Sequence, residues 1–266
     1  MKKILFIIAA MVYAIALPAQ NYKKIFYKDQ TIDGPVMKIT ISDAVATNAE
    51  IKFKIKIKNN SNDYILYKPS ESSFKIDGKS INPEEKPLII APNDDDYRVV
   101  NLKGDYKKAA DYDFITDGLY KINATSKGVA TPDFKLPASQ NEITAGPFVI
   151  TLIKSKKETA RTDARFKVKY TGDKIGIFEP NKVAMKMPDG KEYANYHSDR
   201  KPRLINKEEI EFEVSWKEIP TVSGDMQLVD MIILWRDAFK EITPQKIQGQ
   251  TITVVFDKAT TEAKNK

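Results

Sequence analysis

The chain has 266 residues, with 43 Lys or Arg against 36 Asp or Glu and a formal net charge of +7. It contains no Cys and one His, which excludes disulfide scaffolds, thiolate catalysis and iron–sulfur ligation, together with most zinc-site designs. Charged residues make up 30% and apolar residues 42%, a composition that excludes both a membrane transporter and a wholly disordered chain.

The first segment has the pattern of a secretory signal peptide. Two lysines precede an uncharged apolar run over residues 4–17, and the composition turns polar after Ala19. The run is shorter than the roughly 20 residues that a helix needs to cross a bilayer. We therefore expect a signal peptide at residues 1–19, with cleavage after Ala16 as the alternative. The expected location is periplasmic or extracellular, with no membrane span after cleavage.

The rest of the chain repeats one order of short patterns, which points to a tandem duplication. A Gly-Pro pair opens a strand-like segment at Gly34 and again at Gly146, and an Asp-Gly pair follows at Asp77 and at Asp189. Both pairs of positions are 112 residues apart in the sequence (34 to 146 and 77 to 189). Later segments match more loosely, with residues 97–100 aligned to residues 212–215.

The repeated segments predict strands. Apolar and basic residues alternate over residues 51–57 and 166–170, which is the period of a β-strand. The Asp-Gly pairs indicate hairpin turns, because Gly adopts positive φ at little cost. Helical periodicity is confined to a short stretch from Asp105 to Asp113, with a turn near Asp237. Trp216 and Trp235 continue apolar patterns and are expected in the core.

We therefore predict an all-β fold of two tandem antiparallel sandwiches after the signal peptide. The expected units are residues 20–135 and 140–258, followed by a flexible tail at 259–266. The Gly-Pro starts, the alternating strands and the Asp-Gly-Lys hairpins resemble the immunoglobulin-like β-sandwich domains of exported bacterial proteins of unknown function. That resemblance implies a fold and a tendency to bind, and it supplies no catalytic residue.

A row of basic side chains with two nearby tyrosines is the candidate partner face. Its members are Lys52, Lys54, Lys56, Lys58, Tyr64 and Tyr67. Alternate residues of a strand lie about 6.6 Å apart on one face, so the lysines form a ladder that attracts phosphates, sulfates or uronic acids. The competing interpretation is a solvent face whose lysines keep an edge strand from pairing with another chain.

Two other groups of residues could carry chemistry. His197 precedes Ser198 and Asp199, but adjacent residues of one loop seldom converge and no Gly-x-Ser-x-Gly is present. The acidic residues Asp94–Asp96, with others between Asp105 and Asp117, offer oxygen ligands of the kind that Ca²⁺ takes. No loop has the Asp-x-Asp-x-Asp-Gly spacing, so we interpret them as solvated turns.

These patterns predict a non-enzymatic exported protein with no cofactor and no metal. It would act through contact with a protein or as a component associated with the cell envelope. The alternative is a carbohydrate- or polyanion-binding module that uses the Lys/Tyr face. Nucleic acid is not an expected partner, because acidic residues are interspersed with the basic ones and no recognition motif is present.

Overall fold

The computed structural model describes residues 22–108, 110–197, 201–205, 209–219 and 226–266. The protein is mostly β, with 53% strand, and the described residues contain one short α-helix. No helix in the described part of the chain is long and apolar enough to cross a bilayer. The signal peptide expected at residues 1–19 lies outside the described residues.

The strands of the first half are β1 (Ile25–Phe26), β2 (Gln30–Asp33), β3 (Met37–Ala46), β4 (Glu50–Asn59), β5 (Tyr64–Tyr67), β6 (Ser73–Ile76), β7 (Lys79–Ile81), β8 (Leu88–Ile90), β9 (Asp95–Lys103), β10 (Tyr112–Ile115) and β11 (Leu119–Ile122). A 3₁₀ turn, Pro69–Glu71, joins β5 to β6.

The second half contains β12 (Phe134–Leu136), β13 (Glu142–Ala145), β14 (Phe148–Glu158), β15 (Arg161–Tyr170), β16 (Ile175–Phe178), β17 (Ala184–Lys186), β18 (Glu192–Ala194), β19 (Arg203–Ile205), β20 (Glu209–Lys217), β21 (Met231–Leu234), β22 (Phe239–Ile242), β23 (Gln245–Lys246), β24 (Thr251–Val254) and the helix α1 (Lys258–Lys264). Further 3₁₀ turns lie at Pro180–Lys182 and Met226–Leu228.

The described strands pair antiparallel in six sheets. The first long sheet has the order β1-β3-β4-β9, with β2 also paired to β3, and the second long sheet has the order β13-β14-β15-β20. The smaller sheets are β24-β10-β6-β7, β23-β11-β5-β8, β12-β21-β17-β18 and β19-β16-β22. The central strands β4 and β15 occupy equivalent places, because each lies between the two long neighbours of its sheet.

The first half contributes the strand β12 to a sheet of the second half, and the second half contributes the strands β23 and β24 to two sheets of the first half. Strand β12 pairs with β21, so Phe134 and Leu136 join the apolar cluster of the second half. Strand β24 pairs with β10, so Ile252 and Val254 join the cluster of the first half. The division into units at residues 20–135 and 140–258 stays a prediction, and these pairings cross it in both directions.

The apolar residues form two large clusters and a smaller one between them. In the first, the ring of Phe53 in the long sheet lies 5.4 Å from that of Phe74 and 4.8 Å from that of Phe114, both in the sheet of β10. In the second cluster, Trp216 and Trp235 are fully buried, as expected. The smaller cluster joins β5 and β16, whose residues are buried on both faces.

The predicted hairpin turns form at both Asp-Gly pairs. Asp77 and Gly78 have φ angles of 51° and 74° and connect β6 to β7, so both turn residues have the positive φ of a type I′ turn. Gly190, with a φ of 87°, follows Asp189 in the turn between β17 and β18. The turn expected near Asp237 also forms, since the Ala238 amide donates to the Trp235 carbonyl at 2.9 Å.

Two local predictions are wrong. The described residues between Asp105 and Asp113 form no helix, and β10 begins within that range at Tyr112. The expected flexible tail at 259–266 is largely the helix α1, which begins after Asp257, whose carboxylate accepts from the Thr260 amide at 3.0 Å. A helix this short is marginal alone, and its contacts with the strand β1 compensate for that.

Candidate binding face

The lysine row lies on the outer face of the first long sheet. Lys52, Lys54, Lys56 and Lys58 alternate with apolar residues that are at most 1% exposed, so the four ammonium groups leave the sheet on the same side. Strand β4 pairs with β3 on one side and with β9 on the other. The interpretation of this row as the protection of an edge strand is therefore wrong, because β4 is an interior strand.

The neighbouring strand β9 adds two exposed residues to this face. Tyr97 lies opposite Lys56 and is 52% exposed, and Val99 lies opposite Lys54 and is 47% exposed. The Lys54 Nζ atom lies 4.2 Å from the centre of the Tyr97 ring, a cation–π contact. We call the outer surface of β3, β4 and β9 the lysine–tyrosine face.

Some of the lysines of this face carry counter-ions. The Lys56 ammonium lies 2.9 Å from the carboxylate of Asp95, and this hydrogen-bonded contact lowers the pKa of Asp95. Lys52 pairs with Glu50 on its own strand. Lys58 lies opposite Lys38 of β3, so two like charges face each other at this end of the sheet.

The equivalent face of the second long sheet carries additional acidic side chains. There Arg165 and Lys167 of β15 lie opposite Glu213 and Glu211 of β20, at the places that Val99 and Tyr97 take in the first sheet. Arg165 pairs with Glu211 at 2.6 Å, and Lys167 pairs with Glu209 at 3.0 Å.

The outward residues of the central strand and its β9 or β20 neighbour therefore differ in charge. In the first sheet they include five basic and two acidic side chains, a net charge of +3. In the second sheet they include five basic and four acidic side chains, a net charge of +1. The first face thus keeps an excess of positive charge beside an aromatic and an aliphatic side chain.

Sequence reasoning missed Tyr97 and Val99 because it aligned residues 97–100 with residues 212–215. The two sheets can be matched by the bonds from the Asn60 amide to the Val36 carbonyl and from the Thr171 amide to the Pro147 carbonyl. This match makes Tyr97 equivalent to Glu211, one residue earlier. A slip of one residue exchanges the two faces of a strand. The adjacent valines at 99 and 100 hide the correct period, since Val100 is the buried one of the pair.

The two tyrosines assigned to the partner face are buried instead. Tyr67 is 0% exposed and Tyr64 is 5% exposed, so neither belongs to the lysine–tyrosine face. They belong to the four-residue run of β5, which is buried on both faces, and an unbroken apolar run of that length is typical of such a strand. This run was the signal in the sequence that would have placed them correctly.

Tyr64 takes part in a buried polar contact between the halves. Its hydroxyl donates to the Glu179 carboxylate, which also lies 3.0 Å from the ammonium of Lys240. Burial, together with the hydrogen bond to the Glu179 carboxylate, raises the pKa of the Tyr64 hydroxyl, which keeps it protonated as a donor. The Lys240 ammonium also donates to the Ala124 carbonyl at 2.8 Å.

The acidic run at residues 94–96 contacts a lysine from the second half of the chain. The Lys201 ammonium lies 3.3 Å from the Asp94 carboxylate and 3.4 Å from that of Asp96, and it donates to the Asp95 carbonyl at 3.0 Å. Among the described residues, no group of three or more acidic or histidine side chains could hold a metal ion. His197 donates its amide to Asn195, while Ser198 and Asp199 lie outside the described residues.

Comparison with known proteins identifies no family. No protein-family model matches the chain, and no curated protein matches it.

Proposed function

We propose that this chain is an exported, non-enzymatic protein of two immunoglobulin-like β-sandwich modules, which binds an anionic partner through the lysine–tyrosine face. The partner would be a protein or a component of the cell envelope that carries acidic groups. One observation carries the proposal: the first long sheet has Tyr97 and Val99 where the second has Glu211 and Glu213.

The sandwich architecture is supported by the contacts between sheets. Phe53 of the first long sheet packs against Phe74 and Phe114 of another sheet, so their inner faces meet. The immunoglobulin-like topology follows from the resemblance noted above and from the antiparallel pairing. Export is supported by the apolar segment at residues 4–17.

The charge pattern supports binding rather than a spacer role. Cross-strand pairs of opposite charge stabilise a sheet, and the second long sheet uses them. The first sheet lacks two such pairs of opposite charge, and Tyr97 and Val99 at those positions are exposed to solvent. A positive surface of this kind attracts anions over a distance of about one Debye length, ~10 Å at 0.1 M salt.

A variant that introduces negative charge tests the proposal. Tyr97→Glu/Val99→Glu copies the residues of the second sheet into the first, and we expect it to abolish retention of the protein on an anionic column. The matched control is Thr144→Glu/Val149→Glu, which adds the same charge to the outer face of the second long sheet. We expect the control to keep most of the retention.

Equal elution of the Tyr97→Glu/Val99→Glu variant and the unmodified protein would contradict the assignment of the face. Hydrolysis of a polymer by the purified protein, lost when one acidic pair is changed, would contradict the non-enzymatic assignment.

A further inference from the structure

We infer that the lysine–tyrosine face binds a linear acidic polysaccharide, whose carboxylate or sulfate groups contact the lysines of β4 and one of whose sugar rings stacks on Tyr97. This inference rests on the proposed function and specifies the chemical class of the partner.

The lysines form a straight row of the kind that a linear charged polymer can follow. Four lysines at alternate positions of an extended strand span about 20 Å, with neighbours about 6.6 Å apart. Lys is a compact charge with three rotatable donors, so it accepts carboxylate and sulfate groups in varied geometries. The row therefore suits a chain that carries acidic groups at intervals along its length.

Tyr97 provides a surface for stacking beside this row. About half of its surface is exposed, and the ammonium of Lys54 lies 4.2 Å from the ring centre. The contact with Lys54 positions the ring, and an amphipathic aromatic ring offers an apolar surface with a polar end to a ligand. Val99, two residues further along β9, extends the apolar surface.

A row of hydroxyl groups lies on the other side of the lysines. Thr40 of β3 lies opposite Lys56, and Ser42 lies opposite Lys54. The Thr40 hydroxyl is 3.3 Å from that of Thr31 on β2. Each hydroxyl can donate and accept, so this row matches the hydroxyls of a sugar chain.

The composition of the face argues against an acidic protein as the partner. Protein interfaces are depleted in Lys, and they contain a desolvated centre rich in aromatic residues. On the lysine–tyrosine face, Tyr97 and Val99 are the large apolar side chains exposed among the described residues of β4 and β9. Two such side chains are too few for an interface of about 1,600 Å².

The edge of strand β9 is also partly occupied, which argues against a peptide that adds a strand to the sheet. The Asn101 amide donates to the Glu85 carboxylate at 2.7 Å, and the Tyr97 amide donates to the Asp96 carboxylate at 2.8 Å. The ammonium of Lys201 donates a hydrogen bond to the carbonyl of Asp95. Three of the backbone groups that a peptide strand would need therefore already have partners.

Calorimetry with size-fractionated oligomers tests the inference. The probes are polygalacturonate and heparin fragments of increasing length, with poly-glutamate of matched charge as the polypeptide probe. We expect both saccharides to bind more tightly with length until they span the lysine row. Poly-glutamate should bind at least about tenfold more weakly, since it cannot stack a sugar ring on Tyr97.

Three variants separate stacking from charge. Tyr97→Ala should weaken saccharide binding about tenfold, whereas Tyr97→Phe should retain it. Lys52→Ala/Lys58→Ala, which leaves the contact of Lys54 with Tyr97 in place, should weaken binding and reduce its dependence on salt. The control Lys167→Ala/Lys169→Ala, at the equivalent strand of the second sheet, should leave binding unchanged. All these side chains lie on sheet faces outside the cores, and an unchanged unfolding midpoint verifies that each variant folds.

The outcomes distinguish the inference from the proposed function. Binding of poly-glutamate as tight as that of the saccharides, or full saccharide binding by Tyr97→Ala, would overturn the inference and leave an anionic partner of another class. Binding of none of the three polymers would overturn the inference together with the proposed function.

Discussion

Thr116 and Gln250 are joined by three hydrogen bonds although they lie 134 residues apart in the chain. The amide and the hydroxyl of Thr116 both donate to the Gln250 carbonyl, at 2.9 and 3.1 Å, and the Gln250 amide donates to the Thr116 hydroxyl at 3.1 Å. Thr116 follows β10 and Gln250 precedes β24, so these bonds lock the end of one strand to the beginning of the other. The first half thus needs the C-terminal strand to complete its core.

Because β24 completes the core of the first half, substitutions on its two faces should lower the free energy of unfolding by different amounts. Ile252 is 3% exposed and lies opposite Phe114, so Ile252→Ala should lower the free energy of unfolding by about 2–4 kcal/mol. The next residue, Thr253, points outward, and Thr253→Ala should cost less than about 1 kcal/mol. Urea denaturation measures both values, and equal losses would contradict the pairing of β24 with β10.

The buried ion pair of Glu179 with Lys240, both in the second half, predicts a large single-mutant effect. The side chains of Glu179 and Lys240 are 6% and 7% exposed, so Lys240→Met leaves an uncompensated carboxylate and should cost about 3–5 kcal/mol. The double variant Glu179→Gln/Lys240→Met should recover much of this loss, because it removes both charges.

The matched control for this pair is Lys68→Met. Its partner is Glu71, and these side chains are 27% and 35% exposed, so the change should cost at most about 1 kcal/mol. If the double variant at Glu179 and Lys240 were no more stable than Lys240→Met, the cost would not come from an unpaired charge. Thermal and urea unfolding of the three variants and the unmodified protein provide the comparison.

The lowered pKa of Asp63 predicts that the protein loses stability in acid. Hydrogen bonds from the Lys121 ammonium and the Ala124 amide lower the pKa of this carboxyl group below its ordinary value in the folded protein. The resulting stabilisation is present above the unfolded pKa of about 3.9, and it is lost as the pH falls through the lower folded value.

Asp63→Asn should therefore be less stable than the unmodified protein at pH 6, and the difference should shrink as the pH falls from 5 towards 3. The urea midpoint measured across this range follows the effect. Asp133→Asn, at an exposed carboxylate, serves as the control. A difference that stayed constant with pH would show that the charge of Asp63 is not the cause.

The helix α1 predicts protection of the amides that precede β1. The Asn265 side chain accepts from the amides of Lys23 and Lys24 at 2.8 and 3.1 Å and donates to the Lys24 carbonyl at 2.7 Å. Asn265→Ala should speed hydrogen exchange at those two amides about tenfold, for hydrogen bonds worth about 1 kcal/mol or more. Lys266→Ala should have no such effect, and rapid exchange in the unmodified protein would contradict the docking of the helix.

Local patterns were predicted well because each depends on neighbouring residues alone. The lysines of β4 share one face since alternation is a property of any extended strand. The Asp77-Gly78 turn forms because its residues tolerate positive φ. In contrast, the prediction that Tyr64 and Tyr67 are exposed assumed that β5 has a solvent face, and the packing of β5 against β16 removes it.

The candidate site was predicted in part. The lysine row follows from the sequence, but its interior position and the exposure of Tyr97 depend on the register of β9 against β4. Alternation along a strand does not distinguish two registers that differ by one residue where adjacent residues are both apolar, as Val99 and Val100 are.

The sequence alone determined the all-β character of this protein, the alternation of its long strands and its hairpin turns, because these depend on intrinsic backbone preferences and on the hydrophobic effect within short segments. Tertiary structure alone decided that β12, β23 and β24 pair across the halves, that residues 258–264 form a helix and that one long sheet keeps a positive face. Contacts between residues that are distant in the chain select among several pairings that the local pattern allows equally, and the pairing that buries most apolar surface prevails.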